Sequence, residues 1–374
     1  MHILVITLRG PTNLNRRGGS QDYILQIAKR WITGGHRVTV VSGQEKLNGA
    51  LLPQQEQVEG VAVHRTGTPR LRALSIIHAA KTYEPDADIV IENMMSFPLL
   101  LPMLLKRPHK LVAIRHHFEG WGFIKGQGLL KGGFGLIMEA VVQPLVYRNT
   151  PFVVVSKKTE RELTHKWVAP RARLTLIPPG IDLDTSDLTS LPPRAEDPTI
   201  LYLGALNISR KKPDHLIDAF RLVVEAVPGA KLLIGGSGPD KERLQKAAGG
   251  LPIRFLGFVS EQEKQRLFAS EWLFASPSTS EGFGITWVEA NAYGLPVVGY
   301  ELGLDTVDHT CARMVAPGDI TALAAALIEL LSDHETRARM ERAAYANAKR
   351  FDWDLSSARF LQFIQISSSS RGLH

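Results

Sequence analysis

The chain has 374 residues, 44% of them hydrophobic, with 44 Lys and Arg against 37 Asp and Glu. That composition excludes a disordered chain, and the length points to two domains and not one core. The single cysteine, Cys311, excludes an internal disulfide and a cysteine-based zinc site, and it suits a reducing, cytoplasmic setting.

The net charge of +7 is unevenly divided: residues 1–180 hold 24 basic and 12 acidic side chains, the remainder 20 and 25. The surplus fits an anionic partner for the first half, such as acidic lipid headgroups, a phosphorylated acceptor or nucleic acid. It fits an ordinary soluble basic surface equally well.

The apolar run Ile3 to Leu8 is too short for the core of a secretion signal and reads as a strand. A Gly-containing loop, Asn15 to Gly19, leads into a helical pattern from Ser20 to Thr33 that stops at Gly34 and Gly35. The strand RVTVVSG follows at once. Strand, helix and strand on such short links make a parallel βαβ unit. Further strand candidates at Ala87–Glu92, Lys110–Ile114 and Phe152–Ser156 extend it to a doubly wound sheet. Phe97 to Leu105 carries Pro98 and Pro102 and falls short of the roughly 20 residues of a spanning helix, so no membrane crossing is expected. Phe123 to Tyr147, rich in Gly, Leu, Ile and Val, follows Arg70, Arg72, Lys106, Arg107 and Lys110. Two readings stand for it: an amphipathic stretch that docks on a membrane and recruits a lipid-linked acceptor, or an ordinary helix packed on its sheet.

Residues Asp182 to Pro198, rich in Asp, Ser, Thr and Pro, read as a linker. A second series follows, with strands in TILYLGAL, KLLIGGSG, IRFLGFV, WLFASPS and LPVVGY. Helices are expected at Pro213–Val227, Pro239–Ala248, Ser260–Ala269, Ile285–Tyr293, Ile320–Leu331 and His334–Arg350. The pattern is that of an α/β protein with two Rossmann-like, doubly wound domains facing a central cleft, the tail Ser367–Ser370 being frayed.

In such sheets ligands gather where strands end and helices begin. Gly18 and Gly19 occupy such a place, where backbone N–H groups can approach a phosphate; a plain turn is the alternative. Gly235, Gly236 and Gly238 make only a poor match to a dinucleotide fingerprint. The most informative stretch is Pro277 to Val298, in which a strand ends in a small polar loop and a helix starts near Gly284 or Ile285. The N–H groups of Phe283, Gly284 and Ile285 sit at the positive end of that helix and suit an anion. Glu281 and Glu289, eight positions apart, would be on the order of 12 Å apart at helical rise, about the length of a sugar plus a diphosphate. That is too far for a glycoside-hydrolase pair, whose carboxylates lie roughly 5–10 Å apart.

With these residues in hand, the chain resembles the GT-B fold glycosyltransferases of the family 4 (glycosyl transferases group 1) type, retaining enzymes that use nucleotide-diphosphate sugars. The resemblance covers nearly the whole sequence. GGSQDYILQIAKRWITGGHRVTVV is similar to that family's first-helix motif and IPPGID to its interdomain link. LGALNISRKKPDHLIDAF, IGGSGP and FLGFVSEQEK resemble the donor-domain motifs, and SEGFGITWVEA resembles its signature of two glutamates with seven residues between them. The resemblance implies an acceptor-binding domain at 1–183, a nucleotide-sugar-binding domain at 184–350, and a segment 351–374 that returns to the first domain as a helix.

Position by position, the resemblance implies that Glu281 contacts the transferred sugar and Glu289 the ribose. The backbone from Gly282 through Phe283 and Gly284 to Ile285 would hold sugar hydroxyls and the diphosphate. Lys211 would neutralise the leaving phosphate, Gly18 and Gly19 would approach the diphosphate from the other domain, and His116 would lie near the reacting sugar. Ala205 stands where the family usually has an Arg, and Arg210 is the candidate for the second charge. Lys212 replaces a small residue.

Lys211, Arg210 and the helix terminus can stabilise the departing charge electrostatically, so no metal or other cofactor is expected. The Asp-x-Asp pairs 86/88, 182/184 and 352/354 read as surface or linker acids. The implied chemistry is front-face retention in a closed site that limits hydrolysis. The implied partners are a nucleotide sugar and a glycan, lipid-linked or small-molecule acceptor, with no nucleic acid. The competing readings are an epimerase or hydrolase of the same fold, and a nucleotide-sugar-binding protein without turnover.

Overall fold

The computed structural model describes residues 1–12, 18–47, 49–68, 71–95, 98–118, 122–166, 173–182, 188 and 191–369. They form two compact units, residues 1–180 with 353–374, and residues 181–352.

The first unit runs β1 (His2–Thr7), α1 (Gly19–Thr33), β2 (Arg37–Gly43), a small hairpin of β3 (Lys46–Leu47) and β4 (Ala50–Leu51), β5 (Gln55–Val58), β6 (Val61–Thr66), α2 (Arg72–Tyr83), β7 (Ile89–Met94), α3 (Leu101–Leu104), β8 (Leu111–Arg115), α4 (Gly122–Ile137), α5 (Gln143–Tyr147), β9 (Phe152–Val154), α6 (Lys157–His165) and β10 (Leu174–Leu176). Its eight-stranded sheet has the order β10-β9-β8-β7-β1-β2-β6-β5. Every pairing in it is parallel except β5 with β6. All six residues of β1 are buried, as an unbroken apolar run covered on both faces requires. The antiparallel edge was not expected. It arises at Glu59 and Gly60, whose φ angles of 48° and 87° give the two left-handed positions of a tight hairpin.

Helix α1 buries Tyr23, Ile24, Ile27, Ala28 and Trp31, a stripe at helical spacing, and ends at Gly34 as the sequence pattern requires.

The second unit runs β11 (Thr199–Leu203), α7 (Pro213–Ala226), β12 (Lys231–Gly235), α8 (Lys241–Ala247), β13 (Ile253–Gly257), α9 (Glu261–Ser270), β14 (Leu273–Ser276), α10 (Ile285–Ala292), β15 (Val297–Tyr300), β16 (Ala312–Val315), α11 (Ile320–Ser332) and α12 (His334–Ala348). The sheet is parallel throughout, in the order β13-β12-β11-β14-β15-β16. Strand order therefore reverses between β11 and β14, the topological switch point of a Rossmann-like sheet. A core of Leu216, Phe220, Val223, Leu232, Ile234, Leu323 and Leu327 fills the space between the sheet and helices α7 and α11.

The last helix, α13 (Trp353–Ser369), belongs to the first unit. Its Phe360 meets Trp31 of α1 edge to face at 5.2 Å. The helix extends to Ser369, and 370–374 lie outside the described residues. Of the expected linker, 183–187 and 189–190 lie outside them as well.

Among the described residues, one helical segment, Gly128–Tyr147, is long and apolar enough by length and composition to cross a membrane. It arises because Gly128, at φ 77°, interrupts α4, and a π-turn at Met138–Val142 then joins α4 to α5. Phe97–Leu105, with Phe97 outside the described residues, contributes only the single turn of α3.

Candidate active site

The switch point of the second unit brings two loops together. Thr279, after β14, donates its backbone N–H to the carbonyl of Arg210, after β11, at 2.8 Å. That bond sets Lys211 and Glu281 side by side, with Nζ 2.5 Å from Oε1. Seventy positions separate the two in sequence, and only the parallel β11–β14 pairing makes them neighbours. Their side chains are 20% and 13% exposed, so the pair is partly shielded yet open to a ligand.

Three residues after Glu281, Gly284 adopts φ 83° and caps α10. A Cβ there would stand 3.0 Å from the Trp287 ring in a backbone conformation that L-residues rarely adopt, so glycine is needed to start this helix. Phe283 is buried, its ring 5.4 Å from that of Phe351 and its carbonyl accepting from Thr306 Oγ1 at 2.7 Å. Gly282 and Ile285 are half-buried on either side. The loop thus delivers the positive end of an eight-residue helix beside the Lys211–Glu281 pair.

Glu289 lies on α10 and Glu281 in the loop before it, so helical rise applies only from Ile285 onwards. The structure instead gives each carboxylate its own lysine. Lys264 of α9 reaches Glu289 at 2.7 Å and Glu261 at 2.9 Å. Burial disfavours the charge on Lys264, and the two carboxylates more than offset it, raising its pKa above the ordinary lysine value. Lys264 lies within FLGFVSEQEK, where nothing in the neighbouring sequence marks it as a site residue. Its partner Glu289 lies 25 positions away, out of reach of any local pattern.

The glycines of GGSGP prove to be packing positions. A Cβ on Gly236, at φ 135°, would lie 1.8 Å from the Gly204 carbonyl oxygen, and one on Gly238 would lie 2.2 Å from that of Leu206. Ala205 is exposed, with its carbonyl accepting from the Tyr202 hydroxyl at 2.9 Å. Arg210 is exposed on the same loop, so a second cation is within this segment although Ala205 supplies none. Lys212 takes φ 52°, the left-handed conformation that explains why a small residue suits this position.

The first unit has its own switch point, between β1 and β7. Gly18 precedes α1 with its N–H donated to Gln21 Oε1 at 2.8 Å, and Gln21 Nε2 holds the Gly10 carbonyl at 2.7 Å. Gly18 and Gly19 are exposed, and among the described residues nothing stands within 4 Å of where a Cβ on Gly19 would be. Asn93, at the end of β7, donates through Nδ2 to Thr7 Oγ1 and to the Ser20 carbonyl. Its Oδ1 therefore faces His116 Nε2, 2.7 Å away. A carbonyl oxygen can only accept, so the network assigns the His116 proton to Nε2 and leaves the lone pair on Nδ1. Tyr23 packs edge to face on the same ring at 5.4 Å. Asn93, another residue not singled out from sequence, thus sets the tautomer of His116.

His116 is buried, and desolvation, with Arg115 and His117 nearby, pushes its pKa down to about 3. One strand away, burial pushes Glu92 up to about 7 against hydrogen bonds from Leu99 N–H and the Tyr147 hydroxyl and the attraction of Arg115. The two act oppositely on stability. His116 binds its proton more readily in the unfolded chain, so its contribution is lost as pH falls from 6.5 towards 3. Glu92 holds its proton more tightly in the folded chain, so its contribution is lost as pH rises from the ordinary carboxylate range through 7. Glu92→Gln removes only the second effect. Relative to the parent chain, the variant should gain stability steadily between pH 4.5 and 7, by up to about 3 kcal/mol at about 1.4 kcal/mol per pKa unit. Urea titrations across that range measure the gain, and a difference independent of pH would refute the buried-acid assignment.

Of the Asp-x-Asp residues, Asp88 accepts from the His2 backbone N–H and Asp354 pairs with Arg30 at 2.6 Å, while Asp184 lies outside the described residues. Among the described residues there is no cluster of three or more His, Cys, Asp or Glu side chains placed to hold a metal ion.

The chain is similar to known proteins over nearly its whole length. The sequence profile of the glycosyl transferases group 1 matches residues 186–347, and that of Glycosyltransferase Family 4 matches residues 17–185. A phosphatidyl-myo-inositol mannosyltransferase of Mycobacterium leprae is 27% identical over 378 residues, covering 96% of each chain. Sucrose-phosphate synthase from Thermosynechococcus elongatus has a similar fold, with a TM-score of 0.80, 19% identity and 99% of each chain covered. An Anabaena protein crystallised with UDP and glucose gives 0.74 at 17% identity, over 98% of this chain and 99% of that one.

Proposed function

This chain belongs to the glycosyltransferases of the group 1, family 4 type, with the GT-B fold, and we propose that it transfers a sugar with retention from a nucleotide-diphosphate sugar to a hydroxyl of a lipid-linked acceptor at the cytoplasmic face of a membrane. The observation that carries the reading is the Lys211–Glu281 pair beside the start of α10 at the switch point of the second unit. A nucleotide-diphosphate sugar needs a cation and helix N–H groups for its phosphates and an acceptor of hydrogen bonds for its sugar hydroxyls. All three stand together there. The phosphatidylinositol substrate in the name of the mycobacterial relative supports a lipid acceptor.

In the reaction the bond from the anomeric carbon to the leaving phosphate oxygen breaks, and the acceptor oxygen bonds to the same face of the sugar. The acceptor proton passes to the leaving phosphate. Lys211, Arg210 and the helix terminus stabilise the negative charge that develops, without a metal. His116, with its pKa near 3, is far too weak a base to take that proton at neutral pH. Its role is that of a neutral imidazole, held by Asn93, that hydrogen-bonds the sugar. Gly18 and Gly19 serve the diphosphate, Glu289 with Lys264 the ribose end of the donor.

The test is incubation of the purified chain with a panel of nucleotide sugars and lipid extracts, with and without EDTA. Mass spectrometry should detect a glycosylated lipid in both conditions, and NMR should find the donor's anomeric configuration kept. Epimerised or hydrolysed donor without transfer, binding without turnover, or an inverted product would overturn the reading.

A further inference from the structure

The segment from Leu129 to Tyr147 is polar on its buried side and apolar on its exposed side. Gly132, Gly135, Glu139, Gln143 and Tyr147 are buried. Leu129, Leu130, Phe134, Ile137, Val141 and Leu145 are exposed, Leu130 to 92% and Leu145 to 69%. From Leu130 onwards the exposed positions recur every three or four residues, which keeps them on one stripe. Soluble helices run the other way, with the apolar stripe turned to the core.

The orientation is held by buried contacts. Glu139 takes Arg115 Nη2 at 2.8 Å and Lys166 Nζ at 3.1 Å. The Tyr147 hydroxyl donates to the Glu92 carboxylate at 2.8 Å, and Gln143 Nε2 reaches Met94 Sδ at 3.5 Å. Rotating the helix to hide its apolar stripe would break a fully buried ion pair, so the stripe stays outside. The same contacts exclude a spanning role, because a carboxylate paired to the sheet of its own domain cannot sit in hydrocarbon.

We propose that this stripe docks the first unit on an anionic bilayer, lying in the plane of the interface with its apolar side chains among the acyl chains. The charge around it selects that occupant. Lys131, within the stripe, and Arg148, just past its end, are exposed. Lys106 and Arg107, also exposed, follow α3, which packs beside α5, and α3 itself exposes Met103. Between Gly122 and Tyr147 the only acidic residue is Glu139, which is buried. The outer surface therefore offers apolar and positive groups together, the combination that anionic headgroups attract. A second copy docking on it by two-fold symmetry would bring the same cations face to face.

Docking has a consequence for the proposed reaction, on which that consequence rests while the docking itself does not. The inner face of the helix grips Glu92 and Arg115, the residues immediately before Asn93 and His116. A lipid whose tails enter the bilayer beside the stripe would present its headgroup near the strand ends that hold this histidine.

Vesicle flotation of the full chain, without donor, tests the proposal. The chain should float with vesicles containing phosphatidylglycerol, weakly with phosphatidylcholine alone, and less as salt rises. The double variant Leu130→Ser/Phe134→Ser should lose at least about tenfold in partitioning while melting like the parent, since both side chains are exposed. Lys131→Glu should weaken binding to the anionic vesicles and leave phosphatidylcholine unaffected. Absence of flotation, or flotation indifferent to the double variant, overturns the proposal. So does light scattering that finds a dimer abolished by it, which would assign the stripe to a second copy. A chain that floats and transfers no sugar would keep the docking and reject the transferase reading; one that transfers sugar without floating would do the reverse.

Discussion

Glu281→Ala should lower sugar transfer by about two to three orders of magnitude, the usual loss when a preorganised electrostatic partner is removed from a reacting centre. The expected mechanism is specific to this pair. Glu281 Oε1 and Lys211 Nζ lie 2.5 Å apart. When a diphosphate arrives, the lysine turns its charge to the phosphate, and the carboxylate becomes available to the sugar hydroxyls. Without Glu281 the lysine loses the carboxylate that positions it, and the sugar loses the acceptor that orients it. Folding should suffer little, because both side chains retain access to water and Lys211 can be solvated in the variant. Lys211→Ala should act differently, raising the donor KM or Kd more than it lowers the turnover of bound donor. Glu281→Gln, which keeps a hydrogen-bond acceptor and removes the charge, should fall between parent and Ala variant. Initial rates over a donor concentration series, with a thermal melt of each variant, separate these outcomes. Near-normal transfer by both Glu281→Ala and Lys211→Ala would place the chemistry elsewhere.

Much of this was legible in the chain because it is local. An unbroken apolar run, a helix stopped by two glycines and a second apolar run announce β1, α1 and β2, and the residues of β2 coincide with RVTVVSG. The β5–β6 hairpin is only weakly marked in the sequence, by Glu59-Gly60 between two valine-containing runs. A two-residue turn without Asn or Asp is easily passed over, since Glu is rarely left-handed. Strands β10 and β16, of three and four residues, are too short to carry a period. The candidate site divided along the same line. The loop that starts α10 is contiguous and could be found, whereas the pairing of Glu289 with Lys264 and of His116 with Asn93 depends on which strands lie side by side. The facing of the segment that follows Gly128 depends on contacts such as the Glu139–Arg115 ion pair, between residues 24 positions apart. Hydrophobic spacing marks a stripe but does not say whether it points inward; Glu139 and Arg115 decide that.

That ion pair is the place where a single substitution should cost the first unit most. Glu139 and Arg115 are fully buried, and the Phe118 ring lies 4.4 Å from the Arg115 guanidinium and 4.1 Å from Lys166 Nζ. Glu139→Ala removes the carboxylate and leaves a buried guanidinium without that counter-charge, a loss of up to about 3–5 kcal/mol in comparable buried pairs. For a unit of this size the midpoint of thermal unfolding should fall by on the order of 10 °C. Lys166 can swing to water and adds little to the penalty, as its side chain is 29% exposed. Glu139→Ala/Arg115→Met removes the stranded charge together with its partner, so the double variant should recover a substantial part of the loss, and a double-mutant cycle reads that coupling directly. Two independent and additive losses would mean that the pair does not hold the helix. If it does, Glu139→Ala should also loosen the segment from Leu129 to Tyr147 before the rest of the unit unfolds, seen as faster amide exchange there than in β1 or β7. The carboxylate that fixes the outward facing of the apolar stripe, together with the Tyr147 and Gln143 contacts, would then also brace Arg115, the residue immediately before His116.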